Sequence, residues 1–284
     1  MKYNIRKFLP ILLLSVFLCS GGLMLRQWHS EQMDRQSNEK AQELVQLPEQ
    51  TPAAEQVEIP EVEIPLASEP VEEALEPEGS PLEDAALGLL ELDLQSLEEV
   101  NEAVLGWITI PGTDISYPLL EVEDNNEYLR RSWDGKDSRA GCIFLECKNR
   151  NDFSDFNTII YGHNMRNGTM FHPLRDYLEP GHLEEHPYVY IVTEQMVRRY
   201  EIFSGYEAPV VSDTYRLYFE NDERKQGALD YYLESAEVAG GPVPTVEDRV
   251  LTLSTCVGDG KYENRWVVQA VLTGEFPRQV QKSA

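Results

Sequence analysis

Three residues of this chain carry the groups needed for acyl transfer through a thioester: Cys256, His163 and Arg265. A thiolate is a strong nucleophile, an imidazole exchanges protons near neutral pH, and a guanidinium is a permanent cation able to hold a developing oxyanion. Cys256 closes the segment Leu251-Thr-Leu-Ser-Thr-Cys256 and precedes Val257-Gly-Asp-Gly260, so it stands where a strand gives way to a loop. His163, in Tyr161-Gly-His-Asn164, follows the strand-like Thr158-Ile-Ile, and Arg265 opens the strand after the Cys256 loop. Loop positions held by a rigid scaffold are where reactive groups concentrate. Taken singly, each residue has a plainer reading: an inert buried thiol, a surface histidine, a solvated arginine. Only the combination specifies a chemistry.

The other cysteines do not form a disulfide framework. Cys142 and Cys147 lie in one strand-like segment, which spaces their Cα atoms about 16 Å apart at about 3.3 Å per residue, whereas a disulfide needs less than about 7 Å. Cys19 falls inside an uncharged N-terminal run and reads as a small apolar residue there. His29, His172, His182 and His186 have no acidic or thiol partners at metal-ligand spacing, and the acidic residues form no ordered calcium loop. No metal and no cofactor are expected.

The net charge of -26 argues against a nucleic-acid partner, because holding a phosphate backbone needs a basic footprint. That charge is unevenly spread: residues 41–129 contain no Lys or Arg and 23 acidic residues, whereas residues 130–284 carry 18 basic against 24 acidic. The excess therefore belongs to one stretch, and the part bearing Cys256, His163 and Arg265 is nearly balanced.

The elements that must position these residues are mostly strands. Short β-prone runs at 106–110, 115–120, 141–146, 158–161, 189–192, 199–203, 249–253 and 265–272 are broken by Gly, Pro, Asn and Asp, which indicates a mainly β fold, a closed barrel or a sandwich. Leu87, Leu90, Leu94, Leu97 and Val104 recur at helical spacing and predict one amphipathic helix before the first strand. Residues 221–237, with Leu229, Tyr232, Leu233 and Ala236 on one side, predict a helix inserted between two late strands.

Ahead of the domain, Lys2, Arg6 and Lys7 precede an uncharged run of 18 residues, 8–25. That run is long enough to span a thin bilayer, and the basic flank places the N-terminus on the cytoplasmic side. A cleaved signal peptide is the plainer alternative; no A-x-A-like cleavage site follows the run, which favours a retained anchor. The Glu- and Pro-rich stretch that follows, with seven prolines between 41 and 85, predicts an extended stalk. The expected division is a cytoplasmic N-terminus at 1–7, a transmembrane anchor at 8–25, a stalk at 26–85 and a catalytic domain at 86–284, outside the cell on a single-pass membrane anchor.

The segments around Cys256, His163 and Arg265, with Gly168-Thr-Met-Phe171, resemble those of sortases, class B in particular. Trp107-Ile-Thr-Ile-Pro-Gly-Thr113, Tyr117-Pro118, Asp124-Asn125 with Tyr128-Leu129, and Tyr218-Phe-Glu-Asn-Asp222 are similar to the same class. The likeness covers roughly residues 95–273. It implies an eight-stranded β-barrel and a cysteine transpeptidase of Gram-positive bacteria. Such an enzyme cleaves a C-terminal sorting motif after Thr, holds the surface protein as a thioacyl-enzyme, and passes it to an amine of the cell-wall precursor or of a pilin. By that resemblance Cys256 is the nucleophile, His163 the acid and base, and Arg265 the oxyanion stabiliser. Asn125, Leu129, Tyr161, Tyr215, Ser254 and Thr255 line the peptide cleft, although core packing is an equal account of Leu129 and Tyr161. Val257 and Arg216 depart from the class B pattern, so no particular pentapeptide is implied. A hydrolytic cysteine peptidase and a catalytically silent surface scaffold remain as alternatives.

Overall fold

The computed structural model describes residues 5–47, 84–256 and 264–278, without the side chains of residues 5–12, 14, 15, 84 and 85. A long helix, α1 (Ile5–Val45), is followed by a 3-10 segment (Asp84–Glu91) and one helical turn, α2 (Gln95–Glu98). Strands β1 (Val104–Thr109), β2 (Ser116–Leu120), β3 (Ile143–Leu145) and β4 (Asn157–Tyr161) lead to a 3-10 segment (His172–Leu178) and the short α3 (His182–Glu185). Then come β5 (Tyr188–Thr193), β6 (Met196–Pro209), a 3-10 turn (Asp213–Tyr215), α4 (Asp222–Ser235), β7 (Val238–Ala239), β8 (Val250–Cys256) and β9 (Asn264–Pro277).

The strands pair in the order β5-β1-β2-β3-β4-β8-β9-β6, and β6 returns to β5, so eight strands close on themselves. This is a barrel and not a sandwich, and closure satisfies the edges that an open sheet would expose. The two-residue β7, which the sequence reading did not include, pairs along β6 outside the ring. Ile108, Leu119, Ile143, Ile160, Leu253 and Trp266 fill one continuous core. On another face, Leu229 and Tyr232 of α4 pack with Val250 and Val267. Strand β8 is thus covered on both sides, and Val250–Thr255 are buried throughout, the polar Thr252, Ser254 and Thr255 included. The inserted helix is where it was expected, with Asn221 capping it by accepting from the Arg224 amide.

Two expectations at the N-terminal side are corrected. The predicted single helix through Leu87 to Val104 is instead a 3-10 segment, a break, and α2, and Val104 already belongs to β1. Asp93 makes the break by accepting from the Ser96 amide at 3.1 Å and the Ser96 hydroxyl at 2.6 Å, which starts a new turn. The Leu repeat is nevertheless buried in part: Leu94 and Leu97 are inside, whereas Leu87 is exposed.

The stalk does not begin at 26. Residues 26–45 continue α1, because the chain there is rich in Gln, Glu, Lys and Arg and meets no proline before Pro48. The end of α1 docks on the domain: Ala41 and Val45 are fully buried beside Leu97, Trp107 and Trp133. The Trp133 indole donates to the Ser37 carbonyl at 2.8 Å, the Ser138 hydroxyl to Asp34 at 2.7 Å, and Lys40 lies over the Trp133 ring. The Asp93 amide donates to the Val45 carbonyl at 3.3 Å, so the two flanks of the acidic segment come together. Residues 48–83, the greater part of the predicted stalk, lie outside the described residues. Among the described residues no helix is long and apolar enough to cross a membrane; residues 1–4 of the basic flank lie outside them, as do the side chains of residues 8–12, 14 and 15 in the run.

Candidate active site

Strands β4 and β8 run parallel, and this brings the two chemistry-bearing strand ends to the same rim of the barrel. Their register places Tyr161 opposite Ser254, and His163 and Cys256 each stand two positions further on. Gly162, between Tyr161 and His163, has no room for a side chain: a Cβ there would come within 2.4 Å of Ile143 and 2.7 Å of Phe171. Strand β9 runs back along β8, and Cys256 pairs directly with Arg265. Three residues distant in sequence thus share one corner of the barrel.

The corner opens into a cleft of about 190 Å³ lined by Cys256, His163 and Arg265 together with Asn125, Leu129, Tyr161, Ser254 and Thr255. Of the residues expected to line a groove, only Tyr215 is not on its wall. It stands behind Ser254, hydroxyl to hydroxyl at 2.9 Å, and burial pushes its phenol up to about 12. The Tyr215 hydroxyl therefore stays protonated at neutral pH. Leu129 and Tyr161 do both jobs proposed for them: they line the cleft and pack against the buried cluster beneath it. Thr255 is buried, and its hydroxyl has no hydrogen-bond partner among the described residues.

His163 Nε2 lies 2.9 Å from the carbonyl oxygen of Leu129. A carbonyl oxygen only accepts, so Nε2 carries a hydrogen in both charge states of the ring, and Nδ1 is where the proton is gained and lost. The segment bearing Leu129 is the crossover from β2 to β3, and Gly141 closes it against the imidazole. At φ 62° Gly141 is in the left-handed region, and a Cβ there would lie 2.8 Å from the Tyr128 oxygen, 2.9 Å from the Leu129 oxygen and 3.0 Å from His163 Cδ2.

Residues that the sequence reading did not single out also build the site. Glu146 is buried below the cleft, where Oε2 accepts from Asn125 Nδ2 at 2.7 Å and from the Tyr161 hydroxyl at 3.0 Å. Burial, followed by this carboxylate, drives the Tyr161 phenol well above the ordinary tyrosine range. The Asn125 oxygen in turn accepts from the Cys147 amide at 2.9 Å, which fixes the orientation of the whole side-chain amide. A charged residue closing the apolar run Ile143-Phe-Leu was the available signal. Phe144 adds an aromatic wall, its ring 5.5 Å from that of Tyr161. Asn164 Nδ2 donates to the Cys256 carbonyl at 2.8 Å, and Asn164 Oδ1 lies 2.7 Å from His172 Nδ1.

Neither Cys142 nor Cys147 lines the cleft. Cys142 is buried, its sulfur against the Arg131 carbonyl, and burial raises its pKa well above the usual thiol value. Cys147 is beside Glu146, and desolvation and that carboxylate raise it as well. No cysteine among the described residues is in a disulfide, and no group of three or more His, Cys, Asp or Glu stands together as a metal site among them. Arg216, one of the two departures from the class pattern, is tied to Asp213 through Nε at 3.0 Å. The other, Val257, lies outside the described residues.

The family model for the sortase domain matches residues 108–273. A protein named Sortase B from Listeria monocytogenes is 37% identical over 189 residues, covering 63% of this chain and 74% of that protein. Sortase B from Staphylococcus aureus is 34% identical over 162 residues, covering 57% and 66%. Among solved structures, a Staphylococcus aureus sortase B–substrate complex superposes with a TM-score of 0.60 at 33% identity, covering 63% of this chain and 83% of that one.

Proposed function

The chain belongs to the sortase family, with class B sortases among its relatives, and from that premise we propose that it is a thioester-forming transpeptidase acting at Cys256. The observation that carries this reading is the pairing of Cys256 with Arg265 beside His163 at the mouth of one cleft. In the proposed reaction the Cys256 thiolate attacks the carbonyl carbon of Thr in a sorting motif. Arg265 balances the charge on the tetrahedral oxygen. The C–N bond breaks as His163 gives its Nδ1 proton to the leaving amine, and the client protein remains as a thioester. An incoming amine then attacks that thioester, His163 takes its proton, and the C–S bond breaks to return the thiolate. Asn125, Leu129, Tyr161, Ser254 and Thr255 hold the peptide, and Tyr215 orients Ser254.

Proposed clients are surface proteins bearing a sorting signal, and the proposed acceptor is an amine of the cell-wall precursor or of a pilin. We further propose that residues 8–25 anchor the protein in the cell membrane with the barrel outside; an uncharged run behind Lys2, Arg6 and Lys7 supports this. With α1 docked from Asp34 onward, about eight helical residues, roughly 12 Å, would separate that run from the domain. The barrel would then sit close to the membrane and not at the end of a stalk.

The test is to incubate residues 26–284 with Asn-Pro-x-Thr and Leu-Pro-x-Thr peptides and either triglycine or diaminopimelate. Cleavage after Thr and an amine-dependent ligated product are expected, Cys256→Ala abolishing both and Cys142→Ala neither. A free acid formed regardless of added amine would make the protein a hydrolytic peptidase, and no cleavage of any Thr–x bond would overturn the proposal.

A further inference from the structure

The parallel ladder between β4 and β8 continues one step past the end of its backbone pairing, and it does so through a side chain. The Gly162 amide donates to the Ser254 carbonyl at 3.2 Å. In a regular parallel ladder the next donor to this side of β8, two residues on, would be the Asn164 amide, and its acceptor would be the Cys256 carbonyl. The backbone does not reach it, because Asn164 has turned away to bridge Met170. Instead the Asn164 side chain supplies the bond, with Nδ2 donating to the Cys256 oxygen at 2.8 Å.

The bond sets the orientation of everything behind it. A carbonyl needs a donor, so Nδ2 faces Cys256 and Oδ1 faces the other way, where His172 Nδ1 lies 2.7 Å distant. An amide oxygen accepts, so His172 Nδ1 carries the hydrogen. The result is a one-way chain, His172 to Asn164 to the main chain of the nucleophile. On its opposite side Cys256 is held by its pairing with Arg265.

We propose that Asn164, held by His172, is a positioning residue for the catalytic thiol. The side-chain amide replaces a missing ladder bond, and this lets β4 bend to present His163 without releasing the carbonyl of Cys256. The proposal rests on the reading of Cys256 as the nucleophile. It assigns a role to His172, for which the sequence shows only that no metal-ligand partners stand at the right spacing.

Isosteric replacement separates this role from simple space-filling. Asn164→Asp keeps the size and the acceptor toward His172 but turns a donor into a second acceptor facing the Cys256 carbonyl. We expect kcat for peptide cleavage to fall on the order of tenfold to a hundredfold, the usual effect of misplacing a reacting group, with KM changed far less. His172→Phe removes the donor to Asn164 and is expected to act in the same direction, and His172→Gln, which restores an N–H donor, is expected to recover much of the loss. The rate of Cys256 alkylation by iodoacetamide, resolved from Cys142 and Cys147 by peptide mapping, is measured on the same proteins and needs no substrate. It is expected to change in Asn164→Asp and to return toward the wild-type value in His172→Gln relative to His172→Phe. If wild-type protein cleaves no peptide, the functional reading fails while alkylation still tests the clamp. Unchanged kcat and unchanged alkylation in Asn164→Asp, with melting temperature preserved, would overturn it, and so would equal behaviour of the His172 Phe and Gln variants.

Discussion

His163 and Leu129 are joined by a bond from an imidazole nitrogen to a main-chain carbonyl, Nε2 to oxygen at 2.9 Å, across a separation of 34 residues. Since the acceptor cannot donate, Nε2 is the nitrogen that carries the hydrogen in the neutral ring. The His163 imidazole thereby has its tautomer set by the β2–β3 crossover and not by another side chain.

Nitrogen-15 NMR of the imidazole is expected to show the Nε2–H tautomer when the ring is neutral. Gly141→Ala, which drives a Cβ toward Leu129 O and His163 Cδ2 from a left-handed backbone position, is expected to lower kcat. It is also expected to destabilise the fold by about 1–3 kcal/mol. A variant with normal kcat would show that the crossover does not hold the ring.

Glu146→Ala tests the floor of the cleft. Asn125 and Tyr161 would lose a charged acceptor that both now share, and hydrogen bonds of this kind contribute about 1.5–3 kcal/mol. Peptide KM is expected to rise more than kcat falls, as measured by steady-state kinetics, because the lost groups line the site without reacting.

Trp133→Ala tests the docking of α1. This side chain is buried against Ala41 and Val45 and donates to Ser37, so its removal is expected to cost about 3–5 kcal/mol in chemical denaturation. A protein starting at residue 86 is expected to be less stable than one starting at 26. Exchanging residues 48–83 for a neutral Gly/Ser linker of equal length is expected to leave peptide cleavage unchanged.

His182 gives a pH dependence with a definite sign. Its ring packs edge-on against Tyr177 at 4.8 Å and lies 4.6 Å from His186. Burial, and then His186, lower its pKa below 6.5. Below that value the unfolded chain binds a proton that the folded protein resists, so this residue's contribution to stability is lost as pH falls. Melting temperatures compared between about pH 7.5 and about pH 5.5 are expected to drop more in wild type than in His182→Phe.

The sequence by itself determined the parts. Cys256, His163 and Arg265 were legible because strand ends next to glycine-rich loops are local features, and the eight strands were legible because burial imposes a short period on the chain. The helix at Asp222–Ser235 was legible for the same reason, with its capping Asn221 at the right place. Tertiary structure decided what those parts stand against. Nothing local makes β4 and β8 parallel neighbours, and it is their register that sets His163 beside Cys256 and leaves Asn164 to complete the ladder. Glu146 reads as a charge at the end of a strand until the crossover folds Asn125 over it. The end of α1 reads as the start of the stalk until Trp133, 96 residues from Ser37, closes on it. Periodicity and motif spacing report on short stretches of chain, whereas the closing of a barrel joins positions far apart, and those joins position the site.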